Sequence, residues 1–228
     1  MIKRHIPNAL TCANLLSGCV GIVFAFKGHL DIAAYAVLLS GIFDFFDGFS
    51  ARLMDVKSTI GKELDSLADM VSFGFLPGVV MFKLLEQSDY TFNGLPYFGF
   101  VITIFSALRL AKFNIDTRQT EDFIGLNTPM NTLFIVSLPF IQRDYPALIG
   151  STPILVCLSI LMSWLLISEI RIFSLKFGTM NWADNKTKFV FLIISAVLIA
   201  FLKFAAIPFV LVLYIFTSLI HFRNNPYN

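Results

Sequence analysis

Long apolar blocks alternate with short clusters of glycine, proline and charge along the whole of this chain. A membrane-crossing helix needs about 20 mostly apolar residues, and the punctuation predicts helices near 9–27, 31–54, 62–86, 94–112, 128–142, 147–169, 187–203 and 205–222. The fifth block is short and contains Pro139, and only the KFAAIP turn separates the last two. The pattern therefore counts eight spans, or six or seven where these weaker blocks do not cross. The expected fold is an all-α polytopic helical bundle forming one integral membrane domain over residues 1–228. No repeat, low-complexity tract or linker divides it, and the longest polar loop is FNIDTRQTEDFIGLNTP.

Composition agrees with this reading. The chain is 57% hydrophobic and 14% charged, with a mean hydropathy of +0.77, outside the range of ordinary soluble domains. A net charge of +2 gives no footprint for nucleic acid, and the 26 phenylalanines serve lipid contact and helix packing. Cys12, Cys19 and Cys157 lack metal-ligand spacing and read as small buried hydrophobes rather than disulfide or zinc partners. The basic start and following apolar run resemble a signal peptide, but Asn8, Thr11 and Asn14 interrupt the run and no cleavage site follows, so a retained first helix is expected.

With the N-terminus in the cytoplasm, the inside segments hold Lys3, Arg4, Arg52, Lys57, Lys62, Arg109, Lys112, Arg118, Arg171, Lys176, Lys186, Lys188 and Arg223. Lys27, Lys83, Arg143 and Lys203 lie outside. This asymmetry satisfies the positive-inside rule with an even number of spans, and it predicts an integral protein of the cytoplasmic membrane.

Four aspartates break the apolar pattern where the second helix ends and the third begins: Asp44, Asp47, Asp65 and Asp69, within DFFDGFSARLMDVKSTIGKELDSLAD. Separations of three and four place each pair on one helix face. A charge at membrane depth costs about 2.5–3.5 kcal/mol on insertion scales and marks a functional site by default. Clustered carboxylates need cations, and their oxygens suit a hard divalent ion such as Mg²⁺, Mn²⁺ or Ca²⁺. By the charge asymmetry this metal centre faces the cytoplasm. Gly48 and Ala51 allow close approach of a backbone or substrate. Arg52, one turn beyond Gly48, suits a phosphate or pyrophosphate, whose displacement chemistry divalent ions assist. Thr11 and Asn14 either pack the first helix or contact a nucleotide.

The spacing Asp44-x2-Asp47-Gly48-x2-Ala51-Arg52-x8-Gly61-x3-Asp65-x3-Asp69 resembles the full signature of the CDP-alcohol phosphatidyltransferases, with no departure at a signature position. The resemblance implies that a CDP-linked lipid gives its phosphatidyl group to an alcohol and releases CMP. It also implies two divalent ions held by Asp44, Asp47, Asp65 and Asp69, with Asp69 as the base for the attacking hydroxyl. Gly48, Ala51 and Arg52 then line the nucleotide side, Gly61 serves helix start or packing, and the enzyme is expected to be a homodimer. The segment Ala107–Asn114, then Phe123–Pro129, is similar to the serine-using branch of the family, with Lys112 and Asn127 as departures. CDP-diacylglycerol is thereby expected to react with L-serine to give phosphatidylserine, with Arg109, Lys112 and Asn114 near the acceptor. For Arg109 and Lys112 the positive-inside pattern is an equal alternative. Glycerol-3-phosphate or inositol remain alternative acceptors. A divalent-cation or proton-coupled transporter is the alternative of another class, predicting acidic residues near the midplane on both sides of a path.

Overall fold

The structure, a computed structural model, describes residues 5–55, 59–89, 92–118, 122–175 and 181–224. Lys3, Arg4, Lys57 and Lys176 of the charge pattern lie outside them. The described chain is helical almost throughout. Helices α1 (Ile6–Phe26) and α2 (Leu30–Leu53) form a hairpin, followed by α3 (Thr59–Asp69), a π-helical turn (Met70–Phe75) and α4 (Leu76–Glu86). A 3₁₀ turn (Leu95–Phe100) leads into α5 (Val101–Ile115); then come β1 (Phe123–Ile124), α6 (Thr128–Asp144), α7 (Pro146–Ile149), α8 (Thr152–Ile167) and β2 (Arg171–Ile172). Helix α9 (Trp182–Leu202), with non-helical backbone at Asn185, meets α10 (Ala206–Asn224) through a 3₁₀ turn at Lys203–Ala205.

Helices thus occupy all eight expected positions. Among the described residues, five segments are long and apolar enough to cross a membrane: Ile6–Phe26, Leu30–Leu53, Thr59–Glu86, Leu95–Ile115 and the 39-residue run Asn185–Arg223. Helices α6 and α8 have 17 and 16 residues. The expectation of a purely α-helical chain needs one amendment, because β1 and β2 form a two-residue antiparallel ladder pairing Phe123 with Ile172 and Ile124 with Arg171. Its backbone bonds satisfy groups that the loop between α5 and α6 leaves outside any helix.

Helix α1 inverts the pattern of a soluble protein. The buried face of α1 is Thr11, Asn14, Ser17, Gly18, Gly21 and Ala25, spaced three or four apart, while Leu16, Val20 and Val23 point outward. Small and polar residues meet helices, and large apolar ones meet lipid. A Cβ on Gly18 would lie 2.3 Å from Ser72 Oγ and 3.0 Å from Ser72 Cα, so glycine sets how closely α1 approaches the π turn. The cysteine expectation is corrected: all three thiols are exposed on the outer helix faces, since a thiol is apolar enough to face lipid.

The third rod is continuous in direction but not in hydrogen bonding. Pro77 has no N–H to offer the carbonyl of Phe73 four residues before it, and Thr132 Oγ1 of α6 donates to that carbonyl instead, at 2.8 Å. Thr103 Oγ1 of α5 donates to Gly74 O at 3.1 Å. The π turn therefore begins immediately after Asp69 and is secured by two neighbouring helices, in keeping with the frequent placement of such turns at functional sites. Pro77 lies in the first turn of α4 and Pro208 in the first turn of α10; Pro139 is the one inside a helix, α6.

Candidate active site

Helix α2 brings Asp44 and Asp47 to one face near its end, and α3 presents Asp65 and Asp69 one turn apart. Packing α1 against both α2 and α3 closes the arrangement. One carboxylate oxygen from each of Asp44, Asp47 and Asp65 lies within 4.8 Å of the other two, and Asp69 lines one cavity with Asp44 and Asp65. Helix α1 supplies the polar contacts. The Thr11 hydroxyl is 2.6 Å from Asp47 Oδ2 and 3.0 Å from Pro7 O, and Asn14 Nδ2 donates to Asp69 Oδ1 at 3.2 Å. Asn14 is itself held, its backbone carbonyl accepting from Ser40 Oγ and Ser72 Oγ at 3.2 and 3.1 Å. Thr11 and Asn14 thus serve the carboxylates, which the sequence pattern of α1 alone did not separate from packing.

The donor set fits a divalent cation. It is composed entirely of carboxylate oxygens, the ligands hard ions prefer, and Asp65 Oδ1 is buried without a hydrogen-bond partner, which in a cluster of like charges costs free energy unless a cation fills the place.

Two cavities meet at this cluster, and Asp65 lines both. One, of about 280 Å³, is bounded by Asp44, Asp65 and Asp69 on one side and by Arg109, Asn114 and the α5–α6 connection (Phe123, Asn127–Pro129) on the other. The second, of about 230 Å³, lies beside Thr11, Asp47, Gly48, Ala51, Gly61 and Lys62. Glycine and alanine at 48, 51 and 61 leave that space open.

Arg109, only 3% exposed, donates from Nε to Leu126 O at 3.2 Å and lies 5.4 Å from the centre of the Phe113 ring. Its guanidinium is held inside the first cavity by α5, an aromatic face and a loop carbonyl. Asn114 also lines that cavity, and its Nδ2 donates to Ser66 Oγ at 2.8 Å. Lys112 instead points away and pairs with Glu169 at 2.6 Å. Arg52 is exposed, lines neither cavity and donates from Nε to the carbonyl of Gly48 at 3.0 Å.

Among the lining residues, the sequence pattern did not single out Ser66, named Phe113 and Phe123 only within the segments similar to the serine-using branch, and named Lys62 only in the charge asymmetry. Asn127 carried a usable signal. As the residue before Thr128-Pro129 it reads as a helix start, and its Oδ1 does accept from Met130 N at 2.9 Å. Its place on the cavity wall depends on how α6 packs.

The sequence model of the CDP-alcohol phosphatidyltransferase family matches residues 4–166. Among curated proteins the chain is 31% identical over 172 residues to the CDP-diacylglycerol–serine O-phosphatidyltransferase of Bacillus subtilis (strain 168), covering 74% of this chain and 89% of that protein. It is likewise 31% identical over 169 residues to the protein of that name from Helicobacter pylori (strain ATCC 700392 / 26695), covering 72% of this chain and 70% of the other. An archaetidylserine synthase of Methanothermobacter thermautotrophicus is 31% identical over 160 residues, covering 69% of this chain and 66% of its own. The family match spans both carboxylate pairs and both cavities, and the chain belongs to the CDP-alcohol phosphatidyltransferase family.

Proposed function

We propose that this protein transfers the phosphatidyl group of CDP-diacylglycerol to L-serine, giving phosphatidylserine and CMP, at the cytoplasmic face of the cytoplasmic membrane. The observation that carries the reading is a carboxylate cluster shared by two differently built cavities. The cavity beside Gly48, Ala51 and Gly61 suits the nucleotide part of the donor, because small residues admit a flat, bulky group. The other suits a small anionic or zwitterionic alcohol, because Arg109 offers a buried guanidinium to a carboxylate and Asn114 a neutral polar group. The names of the similar proteins support serine as that alcohol.

Asp44, Asp47, Asp65 and Asp69 would hold the divalent ions, Mg²⁺ or Mn²⁺ and two in number; when bound, such ions neutralise the phosphoryl oxygens and ease departure of the leaving phosphate. The protein's own residues do the rest. Asn14 holds Asp69 through one oxygen, leaving the other to take the proton from the serine hydroxyl. The deprotonated serine oxygen forms a bond to the lipid-side phosphorus as the bond to the bridging oxygen breaks, and CMP leaves with the electron pair. Arg109 positions the serine carboxylate. Arg52 braces the end of α2 through the Gly48 carbonyl.

Carboxylates gathered at one end of the bundle do not support the transport alternative, which calls for acidic groups along a path. The deciding experiment measures CMP release by purified protein with CDP-diacylglycerol and Mg²⁺ or Mn²⁺, adding serine, glycerol-3-phosphate or inositol singly. Release with serine alone is expected. Release with another alcohol overturns the acceptor and keeps the chemistry; ion uptake into proteoliposomes with no alcohol-dependent CMP release overturns both.

A further inference from the structure

The wall of the first cavity that carries Phe123 and Asn127–Pro129 is not self-supporting. Its backbone is held from behind by the chain that follows α8. Gly125 N donates to Ile170 O at 2.8 Å and Leu126 N to Leu165 O at 2.9 Å, flanking the β1–β2 ladder. Gly125 has a φ of +81° and no room for a side chain, since a Cβ there would lie 2.7 Å from Leu166 O and 2.8 Å from Ser168 O. The Leu126 carbonyl in turn accepts from Arg109 Nε. A line of backbone contacts therefore runs from residues 165–170 to the one buried cation of the cavity wall.

The far end of this strap is anchored in the last two helices. Phe173 is buried; its carbonyl accepts from the Tyr214 hydroxyl of α10 at 2.6 Å, and its ring meets the Tyr214 ring edge-on at 5.1 Å and Phe191 of α9 at 5.8 Å. Arg171 stacks over Phe222 at 4.3 Å, and Ser174 N donates to Asp122 Oδ1 at 3.1 Å. At the surface, Glu169 pairs with Lys112 and lies 3.6 Å from Arg118. Lys112 beside it holds the Glu169 carboxyl below its usual range, as an ion pair should. Nearly all of this anchor lies beyond residue 166, where the family match ends.

We infer that α9 and α10 act, through Phe173 and the Ser168–Ser174 strap, as the positioning element of the acceptor cavity, with Tyr214 and Gly125 as positioning residues for Arg109. The inference rests on the reading of that cavity as the acceptor site. The physical reason is that a cation can orient a small substrate only as well as its own support is fixed. The support here is a loop whose N–H groups find their acceptors on the strap.

The test uses the full-length protein with Tyr214→Phe, which removes one hydroxyl and keeps the ring, and Gly125→Ala, which forces a side chain against two carbonyls. With the alcohol that the unaltered protein uses, Tyr214→Phe is expected to raise KM by about fivefold, the ratio a single ordinary hydrogen bond controls. Gly125→Ala is expected to raise it more. The kcat and the affinity for CDP-diacylglycerol should stay within about twofold, the split that separates positioning of one cavity from general loosening. Amide hydrogen exchange at Gly125 and Leu126 provides a readout independent of activity and of the acceptor's identity, and Tyr214→Phe is expected to speed it. Unchanged exchange in Tyr214→Phe, or donor and acceptor affinities falling together in both variants, overturns the inference. Acceptor-dependent CMP release with an alcohol other than serine overturns only the serine assignment.

Discussion

Asp69 differs from its three neighbours in what touches it. Asp44, Asp47 and Asp65 converge on one point, whereas Asp69, which lines the cavity that holds Arg109 together with Asp44 and Asp65, receives the amide of Asn14. A carboxylate oriented through one oxygen at the wall of that cavity is suited to accept a proton from a hydroxyl bound there. Asp69→Asn keeps the size and one ligating oxygen but cannot serve as base. CMP release by this variant should fall by about 10²–10⁴-fold, with binding of CDP-diacylglycerol largely retained; near-normal turnover would remove the base assignment. All four aspartates were legible in the sequence because charge inside an apolar block is conspicuous and its cost is high. Asn14 and Thr11 were visible as interruptions of a hydrophobic helix, read as packing or nucleotide contact, but their carboxylate partners were not, being 55 and 36 residues away.

Elements were legible to different degrees. The placing of α1, α2 and α5 follows directly from apolar length and glycine punctuation. The division of the third rod into α3, π turn and α4 does not, because an i→i+5 turn leaves the apolar pattern unbroken. Pro77 leaves the Phe73 carbonyl without its helical donor, and the group that takes that carbonyl over, Thr132, is on another helix. The contact of α1 with this turn makes a sharp prediction. Gly18→Val places bulk against Ser72 Oγ and Cα and should destabilise the folded protein by about 1–3 kcal/mol, the cost of overpacking a close contact. Because Ser72 and Asn14 are linked by a hydrogen bond, CMP release should decline as well. Thermal unfolding in detergent and turnover at a permissive temperature check the two effects; an unchanged unfolding temperature would show that α1 does not need this approach.

At the scale of the molecule, the distribution of lysine and arginine predicts which way the bundle faces, and the prediction is open to direct measurement. In a background lacking Cys12, Cys19 and Cys157, a cysteine at Lys27 should react with a membrane-impermeant maleimide added to intact cells. One at Lys62, exposed beside the second cavity, should react only after permeabilisation. The reverse pattern would put the carboxylates outside.

The sequence by itself determined the membrane setting, the helical class, the two carboxylate pairs and the family, because each depends on apolar length or on residue types at short fixed spacing. Tertiary structure decided what those features make together. It brought α1 over the carboxylates, split the space around Asp65 into two cavities, sent Lys112 and Arg52 elsewhere than the cavity walls, and tied the α5–α6 loop to the C-terminal helices. The physical reason is range. Periodicity and spacing record the contacts a residue makes within its own helix, whereas a cavity wall is assembled from chain segments that only packing brings together.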